Sequence, residues 1–237
     1  MPVAVVFIAI IVLLAVVVVW RVITRYRRAE FIRNYQFPKG LFDKLAARRP
    51  ELARKDIALV SRGLRHYFLA YLRSGRRFVS MPSQVADDLW HEFILYTRNY
   101  EQFCRQAFGG FFHHSPAVVL APAQRDSNAG LRRVWWHCCK EENIDAKKPS
   151  RLPLLFALDA KLGIVGGFVY AADCAAQHAS GAGGDYCGGD FSDSSIDGGT
   201  AGFGEGAAEG GVSGDAGGSS DSGGCGGGGC GGGGGGD

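Results

Sequence analysis

The chain begins with an uninterrupted apolar stretch. The nineteen residues from Pro2 to Trp20 carry no charge, and Arg21 follows at once. In a helix of about 1.5 Å per residue, such a stretch covers roughly 29 Å, the thickness of the hydrocarbon core of a bilayer. A cleavable signal peptide would instead need a basic region before a shorter apolar stretch. The pattern therefore predicts a transmembrane signal anchor over residues 1–21, which contacts the lipid bilayer through residues 2–20.

The basic residues after the anchor predict the direction in which the chain crosses the membrane. No Lys or Arg precedes the apolar stretch, whereas five Arg residues and one Glu lie in residues 21–33. By the positive-inside rule, the N-terminus lies outside and the C-terminal part of the chain is cytoplasmic. We therefore expect a single-pass membrane protein with a basic juxtamembrane segment at residues 22–35.

Residues 36–178 have the pattern of one compact helical domain. Three segments have apolar residues at steps of three or four and are predicted to be helices: residues 55–75, 82–110 and 128–143. A shorter helix is predicted before them, at residues 38–48. Residues 150–170 are apolar and interrupted by Pro153 and Gly163, which allows a short helix, a buried strand, or both in turn. Since no long alternating pattern occurs, the expected fold class is mainly α.

The C-terminal part, residues 179–237, is rich in Gly, Asp, Ser and Cys. From Gly181 onward, 27 of 57 residues are Gly and few are bulky and apolar. Such a composition cannot offset the entropy cost of ordering the chain, so the pattern predicts a disordered tail. The tail cysteines Cys187, Cys225 and Cys230 are expected to stay reduced in a cytoplasmic setting.

The charge divides between the domain and the tail. Residues 21–180 carry a net charge of +12, and residues 181–237 carry −9. A basic domain next to a membrane attracts anionic lipid headgroups, and the acidic tail is another source of counter-charge. Nucleic acid is the less favoured partner, because no nucleic-acid-binding motif is present. A basic, solvated helical surface without a partner fits the same composition.

The second long predicted helix carries a pair of residues that can hold a metal. Asp87 and His91 are four residues apart, so they lie on one face and the carboxylate can accept the imidazole N–H. This face lies opposite the predicted apolar stripe, and Ile94 on the same side indicates that it is partly covered. A metal ligand with its supporting carboxylate has this pattern, and so does a purely structural polar pair.

Further candidate ligands follow along the chain. His113 and His114 come just after the helix, and Cys138 and Cys139 lie in the third predicted helix. A zinc site needs three or four such ligands around one point, and adjacent residues on a helix diverge, so one member of each pair could contribute. No close-spaced zinc signature is present. The alternative is that these side chains are packed and hydrogen-bonded in the core, with zinc absent.

Two other residues are expected to have structural roles. Cys104 lies at the margin of the apolar stripe and is expected to be a small buried hydrophobic residue. His66 lies among arginines beside the stripe of its helix and is expected at the surface.

The segment PSQVADDLWHEFILYTRNYEQFCRQAFGGFFHHSP resembles a pattern of the glycine-rich domain-containing protein-like family. The shared pattern is D-x-x-W-H-x-x-I-L-x-T-x-x-Y-x-x-F-C, and the Gly/Cys-rich tail is a further similarity. The residues that correspond to the motif are Asp87, Trp90, His91, Thr97, Tyr100, Cys104, His113 and His114. The resemblance implies no particular reaction, and the N-terminal anchor is a departure from the soluble members of that family. It marks Trp90 and Tyr100 as candidates to support the ligands.

Two functions fit the sequence. The first is a membrane-anchored cytoplasmic interaction or scaffold module that recruits a protein partner through its domain and tail. The alternative is a metal-binding protein of the zinc type, or an enzyme, centred on His91 with His113 or His114. Nothing in the sequence defines a catalytic residue.

Overall fold

The computed structural model describes residues 2–114 and 129–172, together with the backbone of the short strand Tyr186–Cys187. Apart from that strand, the predicted disordered tail at residues 179–237 lies outside the described residues, as do the side chains of its three cysteines.

The described part of the chain holds seven helices and one small sheet. The helices are α1 (Pro2–Asn34), α2 (Leu41–Arg48), α3 (Arg54–Arg73), α4 (Gln84–Leu95), α5 (Thr97–Phe108), α6 (Ala129–Glu141) and α7 (Leu154–Leu162). Strand β1 (Tyr170–Ala171) pairs in parallel with β2 (Tyr186–Cys187). The mainly helical fold class is confirmed, and the apolar segment after residue 150 forms a helix followed by a strand.

Helix α1 continues from the apolar stretch into the folded domain. Its N-terminal part is exposed and is long and apolar enough to cross a membrane. Its last turns pack on α3 and α5, where Ala29 and Ile32 are buried in the core. Arg33 then donates two hydrogen bonds to Glu141 on α6, at 2.7 and 2.9 Å. The end of the predicted juxtamembrane segment is therefore part of the domain core.

The predicted helix over residues 82–110 is divided into two helices at Tyr96. Tyr96 has φ −79° and ψ 60°, outside the helical region, and its N–H bonds to the carbonyl of Phe93. In a straight helix, Trp90 and Tyr100 would have their Cα atoms about 15 Å apart. In the bent pair, Trp90 Nε1 donates to the Tyr100 hydroxyl at 3.1 Å. The break therefore allows both aromatic side chains to enter one core.

A buried carboxylate on α7 fixes the start of α4. Asp159 accepts hydrogen bonds from the Ser83 hydroxyl at 2.7 Å and from the backbone N–H groups of Gln84 and Val85 at 2.7 and 3.2 Å. It also accepts from the N–H of Phe168 at 3.0 Å. Ser83 is the N-cap residue of α4, and a carboxylate at this end suits the helix dipole. Asp159 thus sets the position of the helix that carries Asp87.

The prediction that His66 lies at the surface is wrong. His66 is buried, and its Nδ1 lies 3.3 Å from Glu142 Oε1. Glu142 also accepts from the Leu154 N–H at the start of α7 and from Arg151, each at 2.6 Å. Burial alone would raise the pKa of Glu142, but the hydrogen bonds from His66, Arg151 and Leu154 outweigh it and lower the pKa to about 2. The sequence could not show this, because Glu142, directly after α6, reaches His66 only through the packing of α3 on α6.

The role of α1 in the core can be tested with two isoleucines of the same helix. Ile32→Ala, in the full chain in detergent, is expected to lower the free energy of unfolding by about 2–4 kcal/mol because Ile32 is fully buried. Ile23→Ala is the matched control, since Ile23 is 46% exposed, and we expect a change below about 0.5 kcal/mol. Thermal or denaturant unfolding measures both. Equal effects of the two substitutions would contradict the packing of α1 in the domain.

Candidate metal site

A cavity of about 500 Å³ opens between α3, α4 and the segment that follows α5. Its walls are mainly aromatic and apolar, and the polar side chains Asp87, His91, His113 and His114 lie among them. The other lining residues are Tyr67, Phe78, Val79, Ser80, Met81, Gln84, Trp90, Phe112 and Phe168. A cavity of this size and character is typical of small-molecule sites.

Three potential ligands meet at this cavity. Asp87 and His91 come from adjacent turns of α4, and His114 comes from the segment after α5. One donor atom of each lies within 4.8 Å of the others. Asp87 Oδ2 is 3.3 Å from His91 Nδ1, and Asp87 Oδ1 is 3.1 Å from His114 Nε2. The three side chains are partly buried, so the group remains accessible from the cavity.

The chemistry of the three donors suits a divalent transition metal. With bond lengths of about 2.1 Å, tetrahedral ligand atoms lie roughly 3.4 Å apart, and Asp87 Oδ1 and His114 Nε2 are 3.1 Å apart. His91 Nδ1 also lies 2.9 Å from the backbone carbonyl of Asp87. Because a carbonyl can only accept, this bond places the proton on Nδ1 and leaves Nε2 of the neutral ring free to bind a metal. Ligating histidines usually have such a supporting bond.

A hydrogen-bond chain holds His114 against α4. Trp90 Nε1 donates to the Tyr100 hydroxyl, which donates in turn to the backbone carbonyl of Phe112. Burial raises the pKa of Tyr100, so its hydroxyl keeps the proton that it donates. The Trp90 ring also packs on the His114 ring, with centroids 4.6 Å apart. Trp90 and Tyr100, two of the predicted supporting residues, therefore position the segment that carries His114.

The structure separates the other predicted ligands from this group. His113 lines the cavity but is exposed, and its ring packs on Phe111 with centroids 4.7 Å apart. Cys138 and Cys139 are buried on α6 and are not part of the three-residue group. Burial raises the pKa of the Cys138 thiol well above its usual range and that of Cys139 to about 12, so both stay protonated.

Cys104 is buried, as expected, and burial raises its pKa above the usual range for a thiol. A thiol in this state is unsuited to nucleophilic catalysis, because the thiolate is the reactive form. Its predicted role as a small hydrophobic core residue is confirmed.

Two residues that shape the site, Asp159 and Gly130, are not among those predicted from the sequence. Asp159 holds the start of α4, and a lone carboxylate within the apolar segment LLFALDAKL was the available signal, because a buried carboxylate must be paired. Gly130 on α6 approaches the cavity wall so closely that a Cβ there would lie 2.7 Å from the Phe78 ring and 2.5 Å from the Ser80 hydroxyl. No local pattern reveals such a contact, since it depends on how α6 packs.

The family model described as UCP032817-like matches residues 27–191. This range covers more than half of the chain, and the chain belongs to that family. The match begins at the last two turns of α1 and contains the whole candidate site, but it leaves out the apolar stretch. The family description names no activity. No curated protein and no solved structure matches the chain. The resemblance to the glycine-rich domain-containing protein-like family stays a prediction.

The hydrogen-bond chain through Tyr100 can be tested by removing one hydroxyl. Tyr100→Phe leaves buried Trp90 Nε1 and the Phe112 carbonyl without this partner, so we expect the free energy of unfolding to fall by about 1–3 kcal/mol. Tyr96→Phe is the control, because Tyr96 is only partly buried and lies at the helix break. Denaturant unfolding followed by tryptophan fluorescence measures the difference. A Tyr100→Phe protein as stable as the control would show that the chain is not needed.

Proposed function

We propose that this member of the UCP032817-like family is a membrane-anchored protein that binds a divalent transition metal of the zinc type through Asp87, His91 and His114. One observation supports this proposal above all: three nitrogen and oxygen donors from two separate elements converge within 4.8 Å at an aromatic cavity. The two histidines belong to the set of ligands predicted from the sequence. Asp87 was predicted to support His91, and the proposal makes it a ligand.

The main alternative is a hydrogen-bonded triad without metal. Asp87 could accept one hydrogen bond from each imidazole, and this would satisfy all three groups. Two features favour a metal. His91 Nδ1 is already bonded to the Asp87 carbonyl at 2.9 Å, so the Asp87 carboxylate is not needed to fix that ring. In addition, the group faces a cavity rather than the packed core, where a structural triad would be expected.

The ligand set determines what the site can do. A zinc ion with three protein ligands keeps a fourth position for water or substrate and acts there as a Lewis acid. The residues of this chain would hold the ion through Asp87, His91 and His114, and the cavity walls would orient what binds beside it. Two histidines and one carboxylate also suit iron(II), so the metal must be identified by analysis.

The cavity defines the class of ligand. Tyr67, Phe78, Trp90 and Phe112 supply aromatic walls, while the candidate metal ligands supply the polar side. We infer a small molecule with an apolar or ring-bearing body and one oxygen donor for the metal. The volume of about 500 Å³ accommodates a molecule of that kind.

An interaction module is the second proposal, and one observation favours it. Val165, Phe168 and Val169 follow α7 and are 88%, 47% and 48% exposed. Apolar side chains grouped at the surface are common in protein–protein contacts. This function needs no metal, so a protein without metal would leave it as the remaining proposal.

The metal proposal predicts the composition of the purified full chain. Prepared without chelator, the protein is expected to carry about one zinc or iron per chain, and His114→Ala is expected to lose most of it, since each ligand contributes to binding. His113→Ala is the matched control: it removes the adjacent imidazole, which is exposed and outside the three-residue group. Plasma mass spectrometry counts the metal in each protein.

A second pair separates loss of metal from loss of structure. Asp87→Asn should lose the metal, whereas Asp88→Asn should keep it and lose stability, because Asp88 is buried and pairs with Arg49 at 2.8 Å. A metal-free wild-type protein would end the metal proposal. So would equal metal content in the His113→Ala and His114→Ala proteins.

The membrane attachment is also a proposal, with the N-terminus outside and the domain cytoplasmic. It is supported by the length and apolar character of α1 and by the arginines that follow the apolar stretch. The full chain is expected to stay in the membrane fraction at alkaline pH, and a reporter fused after Asp237 should read as cytoplasmic. Release of the protein from the membrane fraction by alkali would contradict the anchor. A reporter that is active only outside the cell would show the opposite orientation.

A further inference from the structure

Helix α1 places the domain directly against the lipid headgroups. Its exposed apolar surface extends to Ile23, and Ala29 is already buried in the domain. Six helical residues span only about 9 Å, which is comparable with the headgroup layer of roughly 5–8 Å on one side of a bilayer. Because the helix is continuous, no flexible linker can move the domain away from the membrane.

Arginines of α1 form one basic face at this depth. Arg21, Arg25 and Arg28 are four and three residues apart, so they lie on the same side of the helix. Ile32, four residues further on, is buried in the domain, which shows that this side faces the domain. Arg21 and Arg25 are exposed.

A fourth arginine joins this face from the domain. Arg28 Nη1 and Arg76 Nη1 both donate to the backbone carbonyl of Phe108, at 2.9 and 3.1 Å. Since both nitrogens contact one oxygen, the two guanidinium groups are close neighbours. Gly109 makes room for this arrangement, because a Cβ there would lie 2.5 Å from Arg28 Nη2.

Among the residues that the structure describes, the four arginines have no acidic partner. Within the described ranges, no Asp or Glu forms an ion pair with Arg21, Arg25, Arg28 or Arg76. Three other basic residues of α1, α3 and α5 are paired: Arg33 and Arg73 both bind Glu141, and Arg105 binds Glu101. Repulsion between adjacent cations favours an anion between them, and a guanidinium binds phosphate through two hydrogen bonds.

We propose that Arg21, Arg25, Arg28 and Arg76 form a binding site for the phosphate of an anionic phospholipid headgroup. The occupant is a lipid rather than a soluble phosphate because Arg21 directly follows the apolar stretch and Arg28 lies only about 12 Å further along the helix than Trp20. Bound lipid would fix the orientation of the domain on the membrane. This inference rests on the proposed membrane attachment and is independent of the metal site.

The test uses the full chain in a neutral detergent and native mass spectrometry. With equal amounts of phosphatidylglycerol and phosphatidylcholine added, the protein is expected to retain about fivefold more phosphatidylglycerol. The double variant R25Q/R76N should reduce this preference to less than about twofold, because two of the four charges are lost. Arg25 is exposed, and Asn suits the left-handed backbone of Arg76 with φ 63°, so the variant should fold.

The control variant R54Q/R62Q removes the same charge from exposed positions on α3 outside the site and should keep the preference. Equal retention of the two lipids by the wild-type protein would overturn the proposal, as would an unchanged preference in R25Q/R76N. Displacement of phosphatidylglycerol by excess inorganic phosphate would show a general anion site and would also overturn it. Metal content and alkaline extraction are measured separately, so failure here is distinguishable from failure of the proposed function.

Discussion

The arrangement of the candidate site depends on the hydrogen bonds that Asp159 makes at the start of α4. This one carboxylate binds the Ser83 hydroxyl, two N–H groups of the first turn of α4 and the N–H of Phe168. Charge-assisted bonds of this kind contribute about 1.5–3 kcal/mol each, and a helix N-terminus strengthens them. Asp159 therefore joins α7, α4 and the cavity residue Phe168. The direction in which α4 presents Asp87 follows from this contact.

The same principle holds other parts of the domain together. Buried or partly buried carboxylates each join elements that are distant in sequence. Glu141 on α6 binds Arg33 of α1 and Arg73 of α3, and Glu142 binds His66 of α3 and the start of α7. Removing one partner of such a group leaves an uncompensated charge in the interior, which is costly. Ion pairs, together with the aromatic core, thus connect α1 to the helices around the cavity.

Much of the fold could be predicted from the sequence because it depends on local pattern. The apolar stretch, the steps of three and four residues and the caps at Ser83 and Gly109 are all properties of neighbouring residues. The break at Tyr96 could not be predicted in this way, because Tyr96 belongs to the same apolar stripe as Phe93 and Tyr100. It follows from packing, which brings Trp90 within 3.1 Å of the Tyr100 hydroxyl.

The candidate site was predictable only in part. Asp87 and His91 are four residues apart on one helix, so their proximity follows from helix geometry. His114 lies 27 residues beyond Asp87 in the sequence. The bend at Tyr96 and the hydrogen bond from Tyr100 to Phe112 bring it close to the other two residues. The sequence could not show whether His113 or His114 takes this position. Cys138 and Cys139 had the chemistry of ligands, but the packing of α6 buries them elsewhere.

Zinc K-edge X-ray absorption on the purified full chain reports the atoms that bind the metal. If Asp87, His91 and His114 are the ligands, the spectrum should show a first shell of nitrogen and oxygen only, at about 2.0–2.2 Å, with the outer-shell scattering of two imidazoles. An iron absorption edge with the same first shell would identify the metal as iron and would leave the assignment of the ligands unchanged. Sulfur at about 2.3 Å would show that cysteine binds the metal, and a protein without metal at either edge would contradict the site altogether.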